Sequence, residues 1–446
     1  MTPLRSSHFA LLLSLCLAAC GSDNASSELA PDASTSAASE TYYGDVKPLI
    51  DAKCASCHLE GGIAPFSLTS YEDAKAHAGI SLLAIDEGVM PPWKPNSDCN
   101  DYHGERSLTP AQKELFAAWV AQETPEGSPQ EEGPPIPLEE IGVSRIDTSL
   151  MMAESYTPTL APDDYRCFIL PWPEEFDADK YVTGFRATPG NAKIVHHVIA
   201  FIAGPDQVAG FEQMDADEAG PGYTCFGGPG GPAQGGLGGW VPGTRGTDFP
   251  DGTGIKIEPG SAIILQVHYN AVVNTVETDA TSLDLRIADS VDKEAFMMGW
   301  LDPQWVQGAM SIPAAEQEVT HSFEFSPVTA LNLLGLSTAN EITVYNAGLH
   351  MHNLGRSAKL EVLRGGESDC MLQIDDWDFQ WQGEYALRDP MQMTASDLLQ
   401  IECTWDNSPQ NQPILDGSPL PPQNVNWGEG TNDEMCLGTF YWTAAD

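Results

Sequence analysis

The chain has 446 residues, more than one ordinary domain holds, and this length suits three separate cores. It carries 64 Asp and Glu against 20 Lys and Arg, a formal net charge of −44. That balance excludes nucleic acid as a partner, because phosphate binding needs the opposite sign. It describes a solvated acidic surface, with attraction of a cationic donor or substrate as the sharper reading.

The first element is a targeting segment. Arg5 precedes an apolar stretch over 9–19 that is too short to span a bilayer. The stretch ends Leu17-Ala18-Ala19-Cys20 and is followed by Gly21. This resembles a bacterial lipoprotein signal, with 1–19 removed and lipid on Cys20; the alternative is an ordinary secretory peptide cut after a small residue. Position 21 is not Asp, so the resemblance points to the outer membrane, touched only through the lipid anchor. Residues 20–40, rich in Ser, Ala and Asp, read as a flexible tether.

Residues 41–122 alternate helix-like stretches with Gly and Pro turns, as in small all-α class I cytochromes c. A helix is predicted over 45–52. It leads into Cys54-Ala55-Ser56-Cys57-His58, the signature for one covalently bound haem c. Cys54 and Cys57 would form the thioethers, with His58 as the proximal ligand. A zinc site would need a second Cys or His pair at short spacing, and none follows. Met90, in Gly88-Val89-Met90-Pro91-Pro92-Trp93, is the expected distal ligand, on a loop stiffened by two prolines; His77 and His103 are its competitors. A Met ligand favours electron transfer over oxygen chemistry. Thr109 is a predicted N-cap with Pro110 at the first helical position, and Leu115, Ala118 and Trp119 are expected on one buried face. A linker follows over 123–140, where Glu, Pro and Gly dominate.

The remaining chain, with many short Val/Ile/Thr/Phe runs between turn residues, reads as β-rich. His350 and His352 flank Met351 in a strand-like run, and residues at i and i+2 share a strand face, so both imidazoles can reach one ion. His196 and His197 are adjacent, so joint ligation needs a local distortion or a strand end. His268, in Leu265-Gln266-Val267-His268-Tyr269, and Met435 are each ordinary by themselves. Together, three histidines for one ion and two histidines with a thioether for another suit two copper ions. The glycine-rich stretch 227–239 lacks the Gly-Lys-Ser/Thr of a phosphate loop and reads as a flexible loop.

The segments 194–199, 265–270, 348–355 and 430–436 resemble the four signature blocks of the copper type II ascorbate-dependent monooxygenases. That family includes peptidylglycine α-hydroxylating and dopamine β-monooxygenases. The resemblance covers about 158–442 and implies two all-β antiparallel jelly-roll-like sandwiches, 141–290 and 291–446, flanking an open cleft. It implies an electron-storing copper on His196, His197 and His268, and a second copper on His350, His352 and Met435 at which oxygen and substrate meet. It also implies the disulfides Cys167–Cys225 and Cys403–Cys436. Cys99 and Cys370 have no counterpart, so pairing across domains and two separate thiols both stay open.

Departures from the family narrow the substrate. The peptide-hydroxylating branch has an arginine two residues before the first His of His-x-His, where this chain has Gly348. Its Asn and Tyr after the Met-Cys pair are Leu437 and Thr439 here. Without a bidentate cation to grip a carboxylate, a glycine-extended peptide is a poor substrate. The expected activity is hydroxylation of a small organic substrate by O2, with electrons from an external one-electron donor passing through haem c to the first copper. The competing reading is an exported haem/copper electron-transfer or copper-binding protein without hydroxylase activity.

Overall fold

The computed structural model describes residues 39–445, except 61–63, 138, 140–141, 162, 271–275, 416–417, 429 and 431. The expected signal and its lipidation site Cys20 lie outside the described residues. Among the described residues, no helix is long and apolar enough to cross a membrane.

Three of the helices gather at the N-terminal end around one small core. Lys47–Lys53 continues from a π-helical turn, Tyr42–Val46, and both precede the Cys54 to His58 segment. Tyr71–Asp86 begins at Ser70, whose hydroxyl accepts from the Asp73 N–H. Pro110–Ala121 begins with a reciprocal cap between Thr109 and Gln112, which satisfies two otherwise orphaned N–H groups. Its buried face differs from the expected one: Phe116 and Trp119 are buried, whereas Leu115 and Ala118 are half-buried. Phe116 and Trp119 stack edge to face at 5.6 Å, and Trp119 also meets Tyr42 at 6.2 Å, so the largest rings claim the inner face.

Half of the expected linker is docked on these helices. The N–H groups of Tyr42 and Tyr43 donate to the carbonyls of Pro125 and Glu126 at 2.8 and 3.1 Å, and Gly133 N–H donates to Tyr43 at 3.0 Å. A Cβ at Gly133 would run into the Gly44 carbonyl, so the close approach requires glycine.

Beyond residue 147 the regular structure is predominantly β-strand. A five-stranded sheet runs Tyr223–Thr224, Asp163–Pro171, Ala262–Asn270, Val195–Ala203, Gly235–Trp240. It encloses an apolar core with the strands Thr148–Met151, Ser282–Ala288, Lys180–Thr188 and Thr253–Ile257. A four-stranded sheet runs Val319–Phe325, Leu398–Trp405, Gly355–Arg364, Glu367–Ile374. It packs over Lys293–Trp300, Leu437–Ala444, Glu341–His350 and Glu384–Thr394. Leu398–Trp405 alternates half-buried and buried residues along its whole length, the period-two pattern of a strand with one face on a core. The two outer layers are one continuous sheet, joined by a short parallel pairing of Lys293 and Glu294 with Thr253 and Gly254. That pairing departs from the all-antiparallel expectation.

The glycine-rich stretch is also more ordered than a flexible loop. Gly235–Trp240 is an edge strand on Val195–Ala203, and a Cβ at Gly238 would sit 2.8 Å from the Phe185 ring. Glycine there lets the two sheets approach closely.

Candidate metal centres

His268 lies on the strand Ala262–Asn270, buried at every residue but the last, and its neighbour Val195–Ala203 carries His196 and His197. The ladder between them slips by one residue: Val195 faces Tyr269, but His197 already faces His268. This β-bulge puts one extra residue, His196, into the strand and re-aims its ring. Two adjacent histidines thereby turn toward the same point.

The three Nδ1 atoms converge. His197 Nδ1 is 3.3 Å from His196 Nδ1 and 3.4 Å from His268 Nδ1. An ion about 2.0 Å from each of three nitrogens spreads them about 3.3–3.5 Å apart. The outer nitrogens of two of them are occupied: His268 Nε2–H donates to Asp163 Oδ1 at 2.9 Å, and His196 Nε2–H donates to Gln380 Oε1 at 3.3 Å. These partners assign the tautomers of His268 and His196 and turn their Nδ1 lone pairs toward His197 Nδ1. Tyr165 stacks on the His268 ring at 4.0 Å and fixes its plane.

The second cluster uses the opposite nitrogens. His350 ends the strand Glu341–His350, and His352 follows across the buried Met351, so the two imidazoles lie on the other side from that core side chain. Their ring centroids are 5.0 Å apart. His350 Nδ1–H donates to Gln382 Oε1 at 2.5 Å and His352 Nδ1–H donates to the Asp433 carbonyl at 3.0 Å, which leaves both Nε2 atoms for an ion. Met435 is buried two residues beyond Asp433, and Cys436 is bonded to Cys403 in the strand Leu398–Trp405.

Glu434 holds this segment to the histidine strand. Its fully buried carboxylate accepts from the N–H groups of His352 and Leu354 at 2.9 and 2.6 Å and from Trp405 Nε1–H at 2.8 Å. Burial pushes its carboxyl up to about 7, against the pull of these donors. Burial likewise dominates at the histidines and disfavours their charged forms. His196 falls to about 4, with His268 adding repulsion, and His197 falls well below its ordinary value. His350 falls to about 3, with His352 adding repulsion, and His352 falls to about 4. Neutral imidazoles are the form that binds metal.

Asp163, Gln380, Gln382 and Glu434 were not among the residues expected from the sequence. Glu434 had the one available signal, its place beside Met435 inside a signature block. The other three reach the histidines from distant segments.

At the helical end, Cys54 and Cys57 carry free thiols. His58 is buried, and its Nδ1–H donates to the Phe66 carbonyl at 3.0 Å. His77 stacks on the Phe66 ring at 4.0 Å, while His103 is paired with Glu139. Met90 is half-buried just beyond the helix Tyr71–Asp86. Two further disulfides are present: Cys167–Cys225 in the first sandwich, and Cys99–Cys370, which resolves the open pairing in favour of a bond from the N-terminal region to the second sandwich.

Comparison with known proteins bears on the second cluster. Residues 305–445 match the family model "Copper type II ascorbate-dependent monooxygenase, C-terminal domain". The mouse protein "DBH-like monooxygenase protein 1" is 27% identical over 188 residues, 41% of this chain and 28% of that relative's length. The chain therefore spans well under half of the curated relative it matches. Among solved structures, a Paenibacillus xanthan lyase aligns at 10% identity over 72% of this chain and 28% of the other, with a TM-score of 0.14. An infectious bursal disease virus structure aligns at 8% identity over 69% of this chain and 75% of the other, also with a TM-score of 0.14. Likenesses this slight carry no weight for fold or function. The family match and the mouse relative together support the copper type II ascorbate-dependent monooxygenase family, with residues 305–445 corresponding to its C-terminal domain.

Proposed function

We propose that this protein is an exported, haem-c-linked copper monooxygenase that hydroxylates a C–H bond of a small organic substrate with O2. The observation that carries the reading is the convergence of three Nδ1 atoms at 3.3–3.4 Å, backed by Asp163, within a chain whose C-terminal part matches a copper monooxygenase domain. His196, His197 and His268 would hold one copper, and His350, His352 and Met435 the other. Bound copper supplies one-electron redox chemistry toward oxygen. The residues do the rest. Asp163 and the carbonyl of Asp433 accept from His268 and His352 and keep their rings correctly turned. The thioether of Met435 makes the second set softer, which favours Cu(I).

The residues at the helical end fit a haem c: two thiols for thioethers, and a His58 ring whose Nδ1 is anchored on Phe66 so that Nε2 stays available. Met90 is the proposed sixth ligand. The haem would relay electrons from an external one-electron donor. Export and lipid attachment at Cys20 are proposed from the signal-like N-terminus alone.

The substrate is not expected to carry a carboxylate at the place the peptide branch recognises. A Cβ at Gly348 would meet Thr439 Oγ1 at 2.5 Å and Glu384 Oε1 at 2.9 Å, so a carboxylate of the protein already stands there. Repulsion between like charges disfavours a second one.

The test is to incubate copper-loaded, reduced full-length protein with cell extract under isotopically labelled oxygen. The expected result is one labelled oxygen atom in a hydroxylated product, lost in His350→Ala. Met435→Ala should bind Cu(I) more weakly while changing Cu(II) affinity less. No labelled product, with oxygen uptake indifferent to organic substrates, would instead establish the electron-transfer or copper-binding reading.

A further inference from the structure

The resemblance implies an open cleft between the sandwiches, yet a loop of the second sandwich reaches both histidine clusters. The Phe379 ring stacks on His196 at 5.3 Å and 24°, and meets His352 edge-on at 5.9 Å and 76°. Next to it, Gln380 accepts from His196, and Gln382 accepts from His350. Gln382 Nε2–H also donates to the Phe379 carbonyl at 2.9 Å, which closes the loop on itself. Four contacts from three residues of one loop thus tie a histidine of the first sandwich to both histidines of the second.

The base of this loop is clamped from the N-terminal region. Cys99 is bonded to Cys370 on the strand Glu367–Ile374, which runs into the loop. Asn96 N–H donates to the Gln373 carbonyl at 2.8 Å, and its side-chain amide donates to Asp375 at 2.5 Å. Lys94, only 12% exposed, lies 3.2 Å from Asp376 and 3.9 Å from Asp378. The Lys94 stem is covered while the nearest carboxylate, Asp376, stands at the surface, so the long side chain spans from the 94–99 strap to the loop base.

We infer that the 375–382 loop sets the separation of the two metal sites. Phe379, Gln380 and Gln382 are its positioning residues, and the Cys99–Cys370 clasp keeps the loop in place. This rests on the copper reading above. Phe379 fills the space between His196 and His352 with an apolar ring, so the clusters are held at one distance by packing and not by chance closure. The arrangement also ties the metal sites to the 94–99 strap, which follows Met90 closely in the chain.

Pulsed dipolar electron paramagnetic resonance on full-length protein with Cu(II) in both sites tests the inference. Native protein should give one narrow inter-copper distance. Phe379→Ala combined with Gln380→Ala, and separately Cys99→Ser, should lengthen the mean and broaden the distribution while two coppers per chain remain bound; Phe379→Tyr should restore the narrow distance. Hydrogen exchange supplies a metal-independent readout: amides of 377–382 should exchange faster in Cys99→Ser, with those of Ala262–Asn270 unchanged. An unchanged distance distribution in the loop variants, with both coppers bound, overturns the inference. Should native protein hold fewer than two coppers, the copper reading fails, and unchanged protection of 377–382 in Cys99→Ser then overturns the tie itself.

Discussion

At the scale of single residues, four of the candidate histidines are oriented by the partner of their other nitrogen. His268 shows this most clearly, because Asp163 takes Nε2–H while Tyr165 holds the ring plane. Asp163→Ala leaves the three imidazoles in the chain but removes the acceptor that selects the tautomer. Copper affinity of the first cluster should fall about 10- to 100-fold, the usual consequence of losing such a partner. Competition titration against a copper chelator measures it, with the second cluster as internal control. Equal weakening at both clusters would assign Asp163 a general structural role.

At the scale of elements, irregularities in otherwise regular strands do the positioning. The bulge at His196 turns two neighbouring side chains toward one point, which a regular strand cannot do. In the second sandwich the segment preceding Leu437–Ala444 is held by Glu434 to His352, Leu354 and Trp405, and by the Cys403–Cys436 bond. Glu434→Gln replaces one accepting oxygen by a donor facing N–H groups. It should destabilise the protein by about 1–3 kcal/mol, the usual penalty for an unsatisfied buried polar group. Copper should be lost from the second cluster before the first. Chemical unfolding together with copper counting checks both, and undiminished stability would mean that water or backbone shifts replace the lost bonds.

At the scale of the whole molecule, burying neutral histidines makes stability depend on pH. His196, His197, His350 and His352 all have folded values below the ordinary 6.5. As pH falls through 6.5 the unfolded chain takes up protons that the folded chain refuses, so stability is fully present above that pH and declines toward 3–4. Glu434, raised from 4.5 to about 7, contributes the opposite slope between those values, as do Glu294 and Glu384, whose shifts are also upward. His58 is depressed as well, and Glu139, Asp147 and Glu218, all shifted downward, also contribute stability that is lost as pH falls, so these groups outnumber the three raised carboxylates. Metal-free protein should therefore lose stability steadily from pH 6.5 to 4, and copper should enlarge the drop because protons compete with it for the same nitrogens. Thermal unfolding of both forms across this range shows it; a flat metal-free profile would mean that the carboxylates cancel the histidines.

Part of this was legible in one dimension. The His350-Met351-His352 spacing, the strand character around His268 and the helix start at Thr109-Pro110 are local patterns, and local patterns follow from strand alternation and capping, which act over a few residues. Phe116 displaced Leu115 from the buried helix face because ring size in a small core outweighed simple periodicity. The edge strand inside the glycine-rich stretch was hidden for a similar reason: glycine lowers strand propensity, and only the nearness of Phe185 explains its presence. By itself, then, the sequence determined the inventory: the CxxCH segment, the histidines and methionine in their order, and the β-rich body. Tertiary structure decided which residues turn those side chains. Asp163, Gln380 and Gln382 become partners only through sheet register and loop docking, which no spacing along the chain encodes, and the place of Glu434 beside Met435 does not say what it holds. It also decided the Cys99–Cys370 bond, whose cysteines lie 271 residues apart and meet only because the 94–99 strap lies against the second sandwich. Contacts of that range depend on the summed packing of whole sheets, and a sequence pattern reports only on neighbours a few residues away.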